Sequence, residues 1–209
     1  MKILLIGASG FVGGRILQEA LNRSHEVTAL VRRAGTLSEH AHLRTVHGDA
    51  TDTALLTQLA REHDAIILSV TARKPGDTPV PEVARAVMQS VKSAATTRLF
   101  VVGGAGSLEV APGLALIDTP EFPQEYKAEA QQSREVLQEL RTSELNWTYL
   151  SPAIEIAPGE RTASFRTGGD TLMTDGQGRS FISAEDYAVA VLNELEGPRH
   201  ERRRFSVAY

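Results

Sequence analysis

Three glycines spaced three residues apart stand near the start of the chain, in Gly7-Ala8-Ser9-Gly10-Phe11-Val12-Gly13. The apolar run Ile3-Leu4-Leu5-Ile6 precedes them, and a segment of helical period, Val12 to Leu21, follows. Glycine at the first position permits a tight turn off a strand, and glycine at the second lets a pyrophosphate approach the backbone. At the third it lets the helix pack closely on the sheet. The helix start then aims unpaired N–H groups and the positive end of its dipole at the same point. Strand, glycine turn and helix in that order predict a dinucleotide-binding loop built from Gly7, Ser9, Gly10, Phe11, Val12 and Gly13. The competing reading is an ordinary glycine-rich turn between a strand and a helix.

A second set of residues bears on which dinucleotide. NAD-selective proteins place an acid near the end of the second strand, where it accepts hydrogen bonds from the ribose 2′-OH. Here that strand ends in Arg32-Arg33 with no acid beside them. A guanidinium clamps a 2′-phosphate with paired, charge-assisted hydrogen bonds, whereas a carboxylate repels it. The expected cofactor is therefore NADP(H), with NAD(H) second. A solvated basic turn is the alternative. Ser151, Pro152 and Ala153 end the sixth strand, at the carboxyl edge where the nicotinamide should lie.

Candidates for proton chemistry are scarce. A tyrosine acid is commonly partnered by a lysine four residues on, one helical turn away, which lowers its pKa. Tyr126, Tyr149 and Tyr187 are instead followed at that spacing by Ala130, Ala153 and Val191. There are no cysteines, which excludes disulfides, thiolate metal sites and cysteine nucleophiles. His40, His42 and His47 lack a framework that would complete a metal site, so no metal is expected. No Gly-x-Ser-x-Gly elbow supports a hydrolase. Glu155 and Arg161 could meet a substrate but read more simply as loop ion pairs. Arg202-Arg203-Arg204 reads as a solvated turn before a last strand.

The elements that must position these residues alternate. Strands are expected at Lys2–Ile6, Glu26–Val31, Arg44–Gly48, Ala65–Val70, Arg98–Gly103, Trp147–Ser151 and Arg204–Ala208. Runs such as Ile66-Ile67-Leu68 and Leu99-Phe100-Val101-Val102 are apolar almost throughout, as in strands covered on both faces. Helical stripes fall between them, over Ala54 to Arg61, through Val83, Val87 and Val91, and through Ala130, Ser133, Leu137 and Leu140. A last helix is marked by Ser183 as cap, Asp186 completing a capping box, and Ile182 stapled against Tyr187. Repeated βα units give an α/β, doubly wound parallel sheet, a Rossmann fold, in one domain of 209 residues. The Gly- and Thr-rich stretch 152–180 reads as an irregular, substrate-side elaboration within it.

Composition is that of an ordinary globular chain, 42% hydrophobic and 23% charged. A net charge of −4 argues against a general nucleic-acid binder. The apolar run at the start is too short for a signal peptide or a membrane span, so a cytoplasmic location without membrane contact is expected.

The spacing Gly-x-x-Gly-x-x-Gly, read as Gly-Ala-Ser-Gly-Phe-Val-Gly, resembles that of the atypical short-chain dehydrogenase/reductases. Further likeness lies in Leu30-Val31-Arg32-Arg33, Gly48-Asp49, Trp147 to Ala153, Pro158-Gly159-Glu160-Arg161-Thr162 and Ile182 to Ala188. Within that group the chain is similar to small NAD(P)H-binding proteins described as NADH-flavin reductase-like or NAD-dependent epimerase-like, with biliverdin reductase B a more distant cousin. The resemblance implies that Arg32 meets the 2′-phosphate and that Asp49, with Ala50 beside it, faces the adenine edge. A local turn or helix start near Thr51 and Asp52 is the alternative for Asp49. It further implies that Ser69, Val70 and Thr71 line the ribose and pyrophosphate. Ser107 and Tyr126 stand in chain order where the family's serine and tyrosine would be. They are the candidates for contact with substrate, against a plain reading as loop and helix-start residues.

The missing Tyr-x-x-x-Lys constrains the acceptor. Reduction of a simple ketone develops alkoxide charge and favours a positioned proton donor. A flavin or quinone spreads the charge over its rings and mainly needs orientation. The expected function is thus an NADPH-dependent reductase of a planar, conjugated small molecule. The alternative is a non-catalytic NADP(H) sensor.

Overall fold

The computed structural model describes residues 1–33, 35–95 and 97–209. In chain order the elements are β1 Lys2–Ile6, α1 Phe11–Asn22, β2 Glu26–Val31, β3 Leu43–His47, α2 Thr53–Arg61, β4 Ala65–Leu68, α3 Val80–Ala94, β5 Arg98–Val102, β6 Glu109–Ala111 and β7 Leu114–Ala115. A 3₁₀ turn at Leu116–Asp118 leads into α4 Gln124–Arg141. The chain closes with β8 Trp147–Ser151, β9 Glu155–Ala157, β10 Arg166–Gly168, β11 Phe181–Ser183, α5 Ala184–Glu196 and β12 Arg203–Ala208.

Eight strands form the central sheet in the order β10-β12-β8-β5-β4-β1-β2-β3, and β10 is its one antiparallel member. The chain builds outward from β1 through β2 and β3, then crosses to β4 and builds the other way. The reversal lies between β1 and β4, the place where doubly wound sheets open a ligand crevice at their carboxyl edge.

Alternate residues of the same strands serve opposite layers. Ile3, Leu5, Phe100, Leu150 and Phe205 pack with Ile16, Tyr187 and Val191 of α1 and α5. Leu4, Ile6, Ile66, Leu99 and Tyr149 pack with Leu56, Val87 and Leu137 of α2, α3 and α4. A strand clothed on both faces has no polar side to alternate with, which accounts for the unbroken apolar runs. Fully burying one such aliphatic side chain contributes about 1.5–3 kcal/mol.

Several boundaries differ from the sequence expectation. β3 runs Leu43–His47, β4 ends at Leu68 and β5 at Val102, because the last residues of each run turn into loops at the carboxyl edge. Segment 152–180 is less irregular than its composition implies. β9 pairs in parallel with β11, and β10 joins the main sheet beside β12. Strands of three residues are too short for a period to register. The capping box of α5 is half-built. Ser183 Oγ accepts from Asp186 N at 3.0 Å, but the Asp186 carboxylate accepts from Ala163 N at 2.7 Å, Tyr209 OH at 2.7 Å and the Thr162 hydroxyl.

Arg202-Arg203-Arg204 is not one solvated turn. Arg204 is buried in β12, where it donates to Asp170 Oδ1 at 2.6 Å and to both Ser107 O and Oγ. These three acceptors, one of them charged, offset the cost of burying the guanidinium.

Candidate functional site

Steric exclusion shapes the loop after β1. Gly7 has φ +98°, which favours glycine, and a Cβ there would lie 1.9 Å from Ser69 O. The turn therefore closes directly against the end of β4, at the switch point. Gly10 N donates to Gly7 O at 3.0 Å and ends the turn. A Cβ on Gly13 would come within 2.0 Å of Gly7 O, so the first turn of α1 is seated on the loop itself.

The start of α1 is left open for an anion. No side chain caps it, and its first turn carries no acid. The first N–H groups of a helix have no intrahelical acceptor, and together with the dipole they favour a phosphate. Ser9 and Gly10 are exposed, Phe11 is 44% exposed, and Val12 is half-buried. The Arg15 guanidinium stacks over the Phe11 ring at 4.2 Å and is tied to Glu185 of α5 at 2.9 Å. That places the exposed ring on a braced helix start.

The other expected nucleotide residues follow along the same edge. Arg32 and Arg33 are exposed beyond β2. Asp49, beyond β3, accepts Thr51 Oγ1 at 2.7 Å and Thr51 N at 2.8 Å, both on Oδ1. Those bonds, helped by the nearby Arg32 charge, hold its carboxyl below the ordinary range. The local turn is thus present, and Oδ2 makes neither bond. Ala50 packs against the layer of α2. Ser69 is buried, with its N–H on Ile6 O at 2.8 Å; Val70 is half-buried and Thr71 exposed.

Ser151, Pro152 and Ala153 are all buried at the end of β8, and Ser151 Oγ has no hydrogen-bond partner. A hydroxyl buried without a partner is a departure from the usual satisfaction of polar groups. With the glycine cradle, the uncapped α1 and the cation beyond β2, the residues present fit a nicotinamide dinucleotide.

Three of the four tyrosine hydroxyls are engaged inside the fold. Tyr149 OH accepts from Gly104 N and donates to Ser133 O, and Tyr187 OH donates to Leu150 O at 2.7 Å. Burial pushes the pKa of both upward, that of Tyr187 well above the usual value. Tyr209 OH lies against Asp186 and Ser183. Tyr126 is 54% exposed in the first turn of α4, at the carboxyl edge. Its position plus four is Ala130, whose Cβ would stand 2.8 Å from a side chain on Gly106. Arg73 is paired with Glu129 at 2.7 Å. Ser107 is drawn toward the last strand instead, as acceptor for Arg204.

Glu155 and Arg161 do not meet each other. Glu155 pairs with Arg179 at 2.9 Å, and Arg161 forks onto both oxygens of Glu19 at 2.7 and 2.8 Å. Two further residues escaped the sequence reading, Arg73 and Asp77 of the loop between β4 and α3. Lys74-Pro75-Gly76-Asp77 carries the signature of a tight turn, which was the available signal.

The model of the family described as NAD(P)H-binding matches residues 7–198. YwnB of Bacillus subtilis, itself uncharacterized, is 43% identical over 211 residues, spanning 99% of this chain and 98% of its own. A structure from Burkholderia pseudomallei, provisionally named an exported protein, superposes with a TM-score of 0.91 at 42% identity over the whole of both chains. One from Streptococcus pneumoniae, provisionally named an NADH-flavin reductase, gives 0.84 at 34% identity, covering 100% of this chain and 99% of that one. Among the described residues no helix is long and apolar enough to cross a membrane. The chain belongs to the NAD(P)H-binding family.

Proposed function

We propose that the protein is an NADPH-dependent reductase that passes hydride to a planar conjugated small molecule such as a flavin or a quinone. The observation that carries this reading is the filled lysine position beside Tyr126. Ala130 occupies it, packed toward Gly106, and Arg73 is neutralised by Glu129. Neither Ala130 nor the Glu129-paired Arg73 is a free cation set to draw the Tyr126 proton off toward a developing alkoxide. An acceptor that delocalises its charge has little need of such an acid.

The reduced nicotinamide, when bound, supplies the hydride. The chain's own contribution is positioning. Gly7, Gly10 and Gly13 admit the pyrophosphate to the backbone, the start of α1 stabilises its charge, and Arg32 is the residue for the 2′-phosphate. Ser151 to Ala153 close the crevice from the side of β8. The same reading places the protein in the cytoplasm, which cell fractionation checks.

The test is oxygen-free oxidation of NADPH against flavins, quinones and aldehydes, with NADH in parallel. The proposal expects turnover with a flavin or quinone and a preference for NADPH. Tight NADPH binding without turnover on any acceptor would contradict it and favour nucleotide sensing.

A further inference from the structure

The loop between β4 and α3 brings a carboxylate to the arginine beyond β2. Pro75 and Gly76 occupy the centre of a turn closed by Asp77 N on Lys74 O at 3.0 Å, with Gly76 at φ +86°, a type II turn. Asp77 Oδ2 accepts from Lys74 N at 2.9 Å and Arg73 N at 3.2 Å. These two bonds fix the carboxylate and leave Oδ1 facing Arg32 Nη2 at 3.8 Å. Farther on, Arg73 is held by Glu129, and Val80 N donates to Gln132 of α4 at 2.8 Å. The loop is thus pinned at both ends with Asp77 toward Arg32.

Arg32 therefore stands between two acids, Asp77 in contact and Asp49 within reach of its field. The Arg32 side chain is 65% exposed, so the pair adds little to folding. Its consequence falls on whatever else Arg32 is meant to bind. A 2′-phosphate arriving there meets a guanidinium already partly neutralised, and a fixed negative charge next to it.

We infer that Asp77 is a specificity-determining residue of the nucleotide groove, whose carboxylate competes with the 2′-phosphate for Arg32 and moderates the preference for NADPH over NADH. The inference rests on the reading of Arg32 as the 2′-phosphate residue. Lys74, adjacent in the turn, offsets part of the Asp77 charge, and Arg33, next in the chain to Arg32, is a second exposed cation. The competition is thus expected to be a tuning effect rather than a block.

Asp77→Asn tests it, since the amide oxygen still accepts the two loop N–H bonds while the charge is gone. Calorimetric affinities are measured for NADPH and NADH with the original protein, Asp77→Asn, Arg32→Ala and the double variant. Matching denaturation midpoints establish that the variants are folded. Asp77→Asn should tighten NADPH by about three- to ten-fold at low salt and leave NADH within about twofold. The gain should shrink as ionic strength rises. It should also be smaller in the Arg32→Ala background, where there is no guanidinium left to compete for. An unchanged or weaker NADPH affinity in Asp77→Asn, with Arg32→Ala still abolishing the NADPH preference, overturns the role of Asp77 alone. An Arg32→Ala protein that keeps the NADPH/NADH ratio overturns the 2′-phosphate reading and this inference with it.

Discussion

The two ends of the crevice are built by different physics. At the phosphate loop, fit comes from missing atoms. Gly7 and Gly13 each leave a space that a single methyl would fill to within about 2 Å of a backbone oxygen. On the side of β8 the fit comes from polar contacts between distant stretches of chain. Arg161 reaches Glu19, Arg204 reaches Ser107 and Asp170, and Asp186 gathers Ala163, Thr162 and Tyr209. Backbone sterics leave almost no choice of residue, while contacts of the second kind can be redrawn.

The largest expected effect comes from breaking the first region. Gly7→Ala places a methyl on Ser69 O and demands a positive φ of a residue that resists it. It should cost about 2–5 kcal/mol in denaturant unfolding and abolish NADPH binding by calorimetry. A variant that folds and binds as before would show that the cradle is looser than its geometry.

Removing the hub of the second region comes next. Asp186→Ala leaves a backbone N–H and two hydroxyls in a partly buried site without their acceptor, for an expected loss of about 1–3 kcal/mol. NADPH affinity measured below the unfolding transition should change far less than in Gly7→Ala. Equal losses of binding in both would erase the distinction between the two ends.

Acid probes the same side more gently. The Arg161 fork, opposed by burial and helped by Arg23, holds the Glu19 carboxyl below its ordinary value of 4.5. A carboxyl whose folded pKa is lowered contributes stability that is present above the unfolded pKa and lost as pH falls through the folded one. Amide exchange at 158–164 should therefore accelerate as pH drops below about 4.5, after correction for intrinsic rates, and Arg161→Ala should remove that dependence.

The smallest effect is expected at Tyr126. Tyr126→Phe should leave flavin or quinone reduction within about threefold, whereas a general acid would be missed by about 10²–10⁴-fold. A loss of that larger size would restore the tyrosine as a proton donor and argue for a carbonyl substrate.

These differences also explain what could be read in advance. β1, the glycine turn and α1 are contiguous, so their apolar run, spacing and helical period sit in one window, and the layered sheet follows from runs like Ile66 to Leu68. The side of β8 offers no such window. Glu19 and Arg161 are separated by most of the chain, and strands such as Glu155–Ala157 are shorter than any period they could display. Arg204 reads as one more surface arginine until Ser107 and Asp170 are brought to it. Ser183 and Asp186 have the spacing of a capping box, but the carboxylate is engaged by groups that only the tertiary fold supplies. Asp77 lay in a recognisable turn, yet nothing local ties a turn after β4 to an arginine after β2.

The proposed chemistry is hydride delivery to a planar acceptor held in this crevice. Oxygen-free rapid mixing of the protein with a free flavin and NADPH, carrying hydrogen or deuterium on the transferred position, tests it most directly. Hydride transfer should bleach the flavin within a single turnover and give a slower phase with deuterium. Nucleotide bound while the flavin spectrum stays unchanged would contradict it.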